Sequence, residues 1–268
     1  MIFQNFDFFA RIEMGLYFVI VGYYFLLFAF FLTMRFRTSK KLYWLFFSFL
    51  FLCLAAGRVF FIAYYFFIPE MSASKAEIAQ SLMVFYRIAT LFSWLAIACF
   101  MGVLGILLFP PEVEPDDKSS KKIILTSNMK IICRIIIIAI PIFVGILALV
   151  LPDSLLMDPD IAEDYNISIT IHTIWGYPLG RFILLVLVVI FVFVIPFLFI
   201  YLAIKTYGVL RRSYLLNGIG IFIYYIGRIL QGAFEVLRWH HFEATIPPLL
   251  ILCALLMLVI ANNYEQLR

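Results

Sequence analysis

Seven runs of apolar residues, each long enough to cross a bilayer, fill most of this chain. A spanning helix needs about 20 predominantly apolar residues, and hydrocarbon offers no partner to an open backbone. The runs are continuous rather than alternating, which selects helices over strands. Hydrophobic residues make up 65% of the 268 and charged residues 13%, too few charges to coat a water-soluble globule of this length. The expected fold is all-α: a polytopic membrane protein whose seven transmembrane helices form one bundle, a single domain over 1–268. The spans fall near 12–34, 42–67, 78–109, 130–151, 180–204, 213–237 and 246–263. The first run is too long for the core of a cleaved signal, so it is expected to stay as span one.

Charges between the runs set a direction. Arg35, Arg37, Lys40 and Lys41 follow span one; Lys118, Lys121, Lys122 and Lys130 follow span three; Lys205, Arg211 and Arg212 follow span five; Arg268 comes last. The other side carries Arg11, Lys75 and Arg238, with Arg181 at the boundary. The positive-inside bias therefore predicts an outside N-terminus and a cytoplasmic C-terminus in a plasma membrane. Segment 110–129 becomes a charged, Pro-rich cytoplasmic linker. Segment 152–179 becomes an acidic outer loop with the sequon Asn166-Ile167-Ser168. No loop holds a soluble domain, so a cytoplasmic effector would be a separate protein. Basic residues gather at span ends, which speaks against a nucleic-acid partner.

Spans two and six echo one another. Lys40-Lys41-Leu42-Tyr43 and Arg211-Arg212-Ser213-Tyr214 open them, and Gly57-Arg58 and Gly227-Arg228 follow inside. The pattern points to a 3+1+3 arrangement of two parallel three-helix units. Pro141 and Pro196 lie inside spans four and five, where each removes a ladder bond. Pro247 and Pro248 are expected in the first turn of span seven.

The layout resembles heptahelical receptors in topology alone. Span three ends Leu108-Phe109-Pro110-Pro111 without an acidic-Arg-aromatic triplet, span seven ends Ala261-Asn262-Asn263-Tyr264 without an Asn-Pro pair, and residues 246–263 hold no lysine for retinal. The three-one-three plan resembles small sugar transporters of the SWEET kind, but their Pro-Gln signature is missing. The motifs identify no family.

The chemistry-bearing feature is arginine within the spans. Arg58, Arg87 and Arg228 each interrupt an apolar run. A guanidinium near mid-membrane costs about 2.5–3.5 kcal/mol on insertion scales, so it lines a bundle interior or a wet cavity. Span six carries Asn217, Tyr224, Arg228, Gln231 and Glu235 at spacings of 7, 4, 3 and 4, one stripe at 3.6 residues per turn. Arg58 lies 16 residues beyond Leu42, about 24 Å along its helix; Arg228 reaches a similar depth. Glu13 and Glu235 are too few to neutralise these arginines, and an unpaired guanidinium suits a carboxylate or phosphate. The expected ligand-binding set is Arg58, Arg87, Arg228, Gln231, Glu235 and Tyr224. The same residues would also serve as a hydrogen-bonded seam between helices.

Span three presents Thr90 and Trp94 on the face of Arg87, and Tyr17, Tyr65 and Tyr86 fall at the same level. The histidines His172, His240 and His241 form no metal-ligand spacing, no cofactor motif occurs, and no Asp or His lies deep in a span. Cys53, Cys99, Cys133 and Cys253 read as small buried hydrophobes. The expected function is a sensor or receptor-like integral membrane protein that binds an anionic or amphiphilic ligand (a small molecule or lipid headgroup) in an outward-facing polar pocket. The alternatives are a secondary transporter of a small anionic or polar solute and a non-catalytic scaffold subunit of a membrane complex. An enzyme is not expected.

Overall fold

A computed structural model of the chain describes residues 8–109, 127–237 and 239–263. Of the linker expected over 110–129, residues 110–126 lie outside the described residues. Seven helices are long and apolar enough to cross a membrane. They are α1 (Phe8–Phe30), α2 (Leu42–Ile62), α3 (Lys75–Leu108), α4 (Ser127–Val150), α5 (Leu179–Lys205), α6 (Gly208–Val236) and α7 (His240–Asn263). Large apolar side chains such as Leu26, Phe143 and Ile204 stand exposed on the bundle's outside. An apolar surface of this extent suits lipid rather than water, as in a multi-pass membrane protein.

Local chemistry sets the helix ends. α1 continues through a π-helical stretch, Phe31–Phe36, into a last turn, Arg37–Ser39. Thr33, Thr38 and Ser39 each bond back to the carbonyl four residues earlier, satisfying hydroxyls that hydrocarbon cannot. Lys40, with a left-handed φ of 56°, then stops the helix. α2 ends in a second π-helical stretch, Ala63–Phe67. α3 starts at a capping box: the Ser74 hydroxyl accepts from the Glu77 amide and the Glu77 carboxylate accepts from the Ser74 amide. α7 departs from expectation. It starts at His240, so Pro247 and Pro248 lie well inside it rather than in its first turn. Its opening turns are polar, and apolar periodicity does not reveal them.

Helices adjacent in sequence pack side by side from α1 to α4 and again from α5 to α7, and α7 returns to α1. Glycine permits the closest approaches. A Cβ on Gly227 would meet the Pro247 carbonyl oxygen of α7 at 3.3 Å, and one on Gly57 would meet the Ala89 carbonyl oxygen of α3 at 3.3 Å. The main core is aromatic, built on Tyr17, Tyr24, Phe31, Phe47, Phe51 and Phe199. A second cluster gathers Met83, Trp94, Leu156, Met157 and Leu184. Cys253, expected inside, is exposed on α7.

The connection from α4 to α5 folds over one end of the bundle. It contains one-turn helices at Asp153–Leu156 and Pro159–Asp164 and an antiparallel pairing of Thr173–Ile174 with Tyr177–Pro178. The hairpin turn uses Trp175 and Gly176, both at positive φ (54° and 81°), as a two-residue turn of the primed type requires. Leu156 and Met157 bury their side chains beneath it.

Candidate anion-binding site

Beneath this connection α2 and α3 face α5 and α6 across a cavity of about 160 Å³. Arg58 and Phe61 of α2, Thr90 and Trp94 of α3, Arg181 of α5, Arg228 and Gln231 of α6 and Tyr177 of the hairpin line it. Three guanidiniums thus share one small space, although they come from three different helices.

Each arginine has different company. Arg181 is buried and well served. Its Nε donates to the Leu156 carbonyl at 2.6 Å and its Nη2 to the Tyr64 hydroxyl at 3.0 Å, while Nη1 meets the Asp158 carboxylate at 3.5 Å. Its Cζ lies 4.1 Å from the centre of the Tyr86 ring. Arg181 therefore ties the connection to α2 and α3 as well as lining the cavity. Arg228 donates to the Gln231 side-chain oxygen at 2.8 Å. Gln231 in turn donates to the Tyr17 hydroxyl at 2.7 Å, and Tyr17 donates to Glu13 at 2.6 Å. A relay of hydrogen bonds runs from α6 into α1.

Arg58 is the exception. It is 4% exposed, and its Nη1 is buried with no acceptor among the described residues. Its Cζ sits 4.4 Å from the centre of the Tyr17 ring, and this cation–π contact offsets part of the desolvation. This ring contact supplies no conventional acceptor, so the Nη1 hydrogen bonds remain unmade. Among the described side chains no carboxylate lies within ion-pair distance of Arg58 or Arg228.

The sequence-expected residues divide in two. Arg58, Arg228 and Gln231 come together in the cavity. Tyr224 lies one level deeper, its hydroxyl 3.3 Å from that of Tyr24. Arg87 stands outside the cavity lining. It donates to the carbonyls of Leu149 and Leu151 at 3.1 and 2.5 Å and pairs with Asp153 at 2.7 Å. Its charge is thus already matched, by an acid of the 152–179 segment that the sequence alone does not tie to it. Glu235 belongs to α6, but its side chain lies outside the described residues. Arg181, which the sequence leaves at a span boundary, is the lining residue that reasoning from apolar runs misses. Its position two residues after the α5 start was the available signal.

At the opposite end α1, α6 and α7 are clamped together. Arg35 donates to the Asn262 carbonyl at 2.6 Å, Asn262 donates to the Asn217 side chain at 3.0 Å, and Ser213 donates to the Ala261 carbonyl at 2.9 Å. Among the described residues no three His, Cys, Asp or Glu side chains cluster as metal ligands would. The chain matches no protein-family model, and no curated protein or solved structure is similar to it. The geometry of the cavity itself therefore carries the functional reading.

Proposed function

We propose that this protein is a receptor-like sensor of a plasma membrane that captures an anionic ligand from the outer side, in the cavity between α2, α3, α5 and α6. The observation that carries the reading is the buried Nη1 of Arg58, without an acceptor among the described residues, on a side chain that lines one cavity with Arg228. An unmatched guanidinium in a dry site is costly, and a carboxylate or phosphate restores both its charge balance and its hydrogen bonds. The basic residues on the loops after spans one, three and five support a cytoplasmic opposite end. There the Arg35–Asn262–Asn217 clamp would pass a change in α6 to α1 and α7, within reach of a separate effector. Arg58, Arg228 and Gln231 hold the ligand, and Arg181 closes the connection over it. Arg87 holds that connection in place.

The parallel repeat gains support from the two Gly-Arg pairs. Gly57 sits tightly on the following helix, α3, and Gly227 on the following helix, α7, and the arginine after each lines the same cavity. A repeat of this kind, with Pro141 and Pro196 inside α4 and α5, is also what a secondary transporter would use. The two readings separate in one pair of assays. A sensor shows anion-dependent thermal stabilisation that Arg228→Leu abolishes and shows no flux in proteoliposomes. Anion uptake would instead establish transport. Equal stabilisation of wild type, Arg58→Leu and Arg228→Leu would end the proposal.

A further inference from the structure

The arginine cavity shares part of its lining with a second chamber. This one measures about 150 Å³ and is lined by Phe51, Leu54, Phe100, Val192, Ile221 and Leu258, among other apolar side chains. Ser93, Val188, Tyr225 and Arg228 border both spaces. Arg228 therefore stands at the junction of a cationic compartment and an apolar one. From Arg228 to Ile221 the chamber follows α6 for seven residues, about 10 Å of depth.

A small inorganic anion would use the upper compartment and leave the lower one idle. Water is a poor occupant of the chamber, because its largely apolar lining offers few polar partners. An unfilled void is destabilising, since its lining atoms lose dispersion contacts on one side. One molecule satisfies both compartments: an anionic head joined to a single apolar chain.

We infer that the ligand is a single-chain anionic amphiphile whose head meets Arg58 and Arg228 and whose tail descends beside Tyr224 and Tyr225 into the Phe51–Leu258 chamber. This rests on the anion-binding reading above and specifies its ligand. The chemistry is shared by a free medium-chain fatty acid and a lysophospholipid. Their common features are one anionic head and one chain.

The test is equilibrium binding to the full-length protein in phosphatidylcholine nanodiscs, counted above lipid-only nanodiscs, with decanoate, butyrate, decanol and lysophosphatidate as probes. Decanoate should bind roughly tenfold or more tightly than butyrate, because each buried methylene adds affinity. Decanol should bind weakly, because it leaves the guanidiniums unmatched. Ala96→Leu and Val192→Phe, both within the chamber wall, should remove the preference for decanoate while butyrate still binds. That retained butyrate binding also reports an intact fold. If either variant fails to fold, the wild-type ratio of decanoate to butyrate decides alone. Equal binding of decanoate and butyrate, or a preference that survives both fillings, would overturn the tail assignment and leave the anion site standing. Absence of binding by every anion would overturn the reading beneath it. Tighter binding of lysophosphatidate than of decanoate assigns the source to membrane phospholipid; the reverse assigns it to free fatty acid. Either order upholds the inference.

Discussion

The guanidinium of Arg58 lies over the Tyr17 ring, its Cζ 4.4 Å from the ring centre, and the Tyr17 hydroxyl is fixed by Gln231 and Glu13. The tyrosine is held from α6 and α1 at once, so the arginine on α2 is aimed by helices it does not belong to. Its Nη1 is buried without an acceptor among the described residues, on a side chain that lines the cavity.

Arg58→Leu should separate stability from binding. Removing a buried charge that has no counter-ion among the described side chains relieves its desolvation, so the ligand-free variant should be more stable than wild type by about 1–3 kcal/mol. Anion-dependent stabilisation should vanish in the same variant. Thermal unfolding with and without ligand measures both, and a strongly destabilised ligand-free variant would show that Arg58 is a structural contact instead.

Arg87 should behave in the opposite way. It joins α3 to the end of α4 and to Asp153 through three acceptors. Arg87→Leu strands those carbonyls and should cost about 1–3 kcal/mol or more, while the affinity of folded protein for the anion changes little. A large loss of affinity at unchanged stability would return Arg87 to the binding site.

Gly57 and Gly227 should respond alike. A Cβ at either position meets a backbone carbonyl oxygen of the next helix at 3.3 Å. Valine at either site must push α2 from α3 or α6 from α7, and overpacking of this sort costs about 1–3 kcal/mol. Melting temperatures of the two variants check this. Wild-type stability in both would mean that these helix pairs yield freely.

Direction in the membrane can be read by labelling. Ser39, at the end of α1, and Ser168, in the 152–178 connection, are both exposed. In a background lacking the native cysteines, Ser168→Cys should react with an impermeant maleimide on intact cells and Ser39→Cys only after permeabilisation. The reverse order would invert the topology.

The fold was readable in the sequence because lipid leaves so few alternatives: a continuous apolar run of this length must be a helix. The polar stripe of α6 placed Arg228 and Gln231 on one face, and Gly-Arg in α2 supplied their counterpart. The polar first turn of α7 and the Arg211-Arg212 pair near the start of α6 hid where these helices begin, since apolar periodicity breaks there. The partners of Arg87 and Arg181 were hidden for another reason. Asp153 and Asp158 sit in a segment whose composition reads as a solvated acidic loop, and only its fold over the bundle end brings them to α3 and α5. Long-range ion pairs of that kind leave no local pattern. The lower chamber was equally hidden, because it is defined by where five helices fail to meet.

The central claim is that Arg58 and Arg228 converge on something other than protein. A density map of the full-length protein at side-chain resolution, purified in nanodiscs without added ligand, tests it most directly. The account predicts non-protein density within hydrogen-bonding distance of Arg58 Nη1 and Arg228, continuing downward between Tyr224 and Val192. Guanidiniums each closed on a carboxylate such as Glu13 or Glu235, with nothing between them, would contradict it.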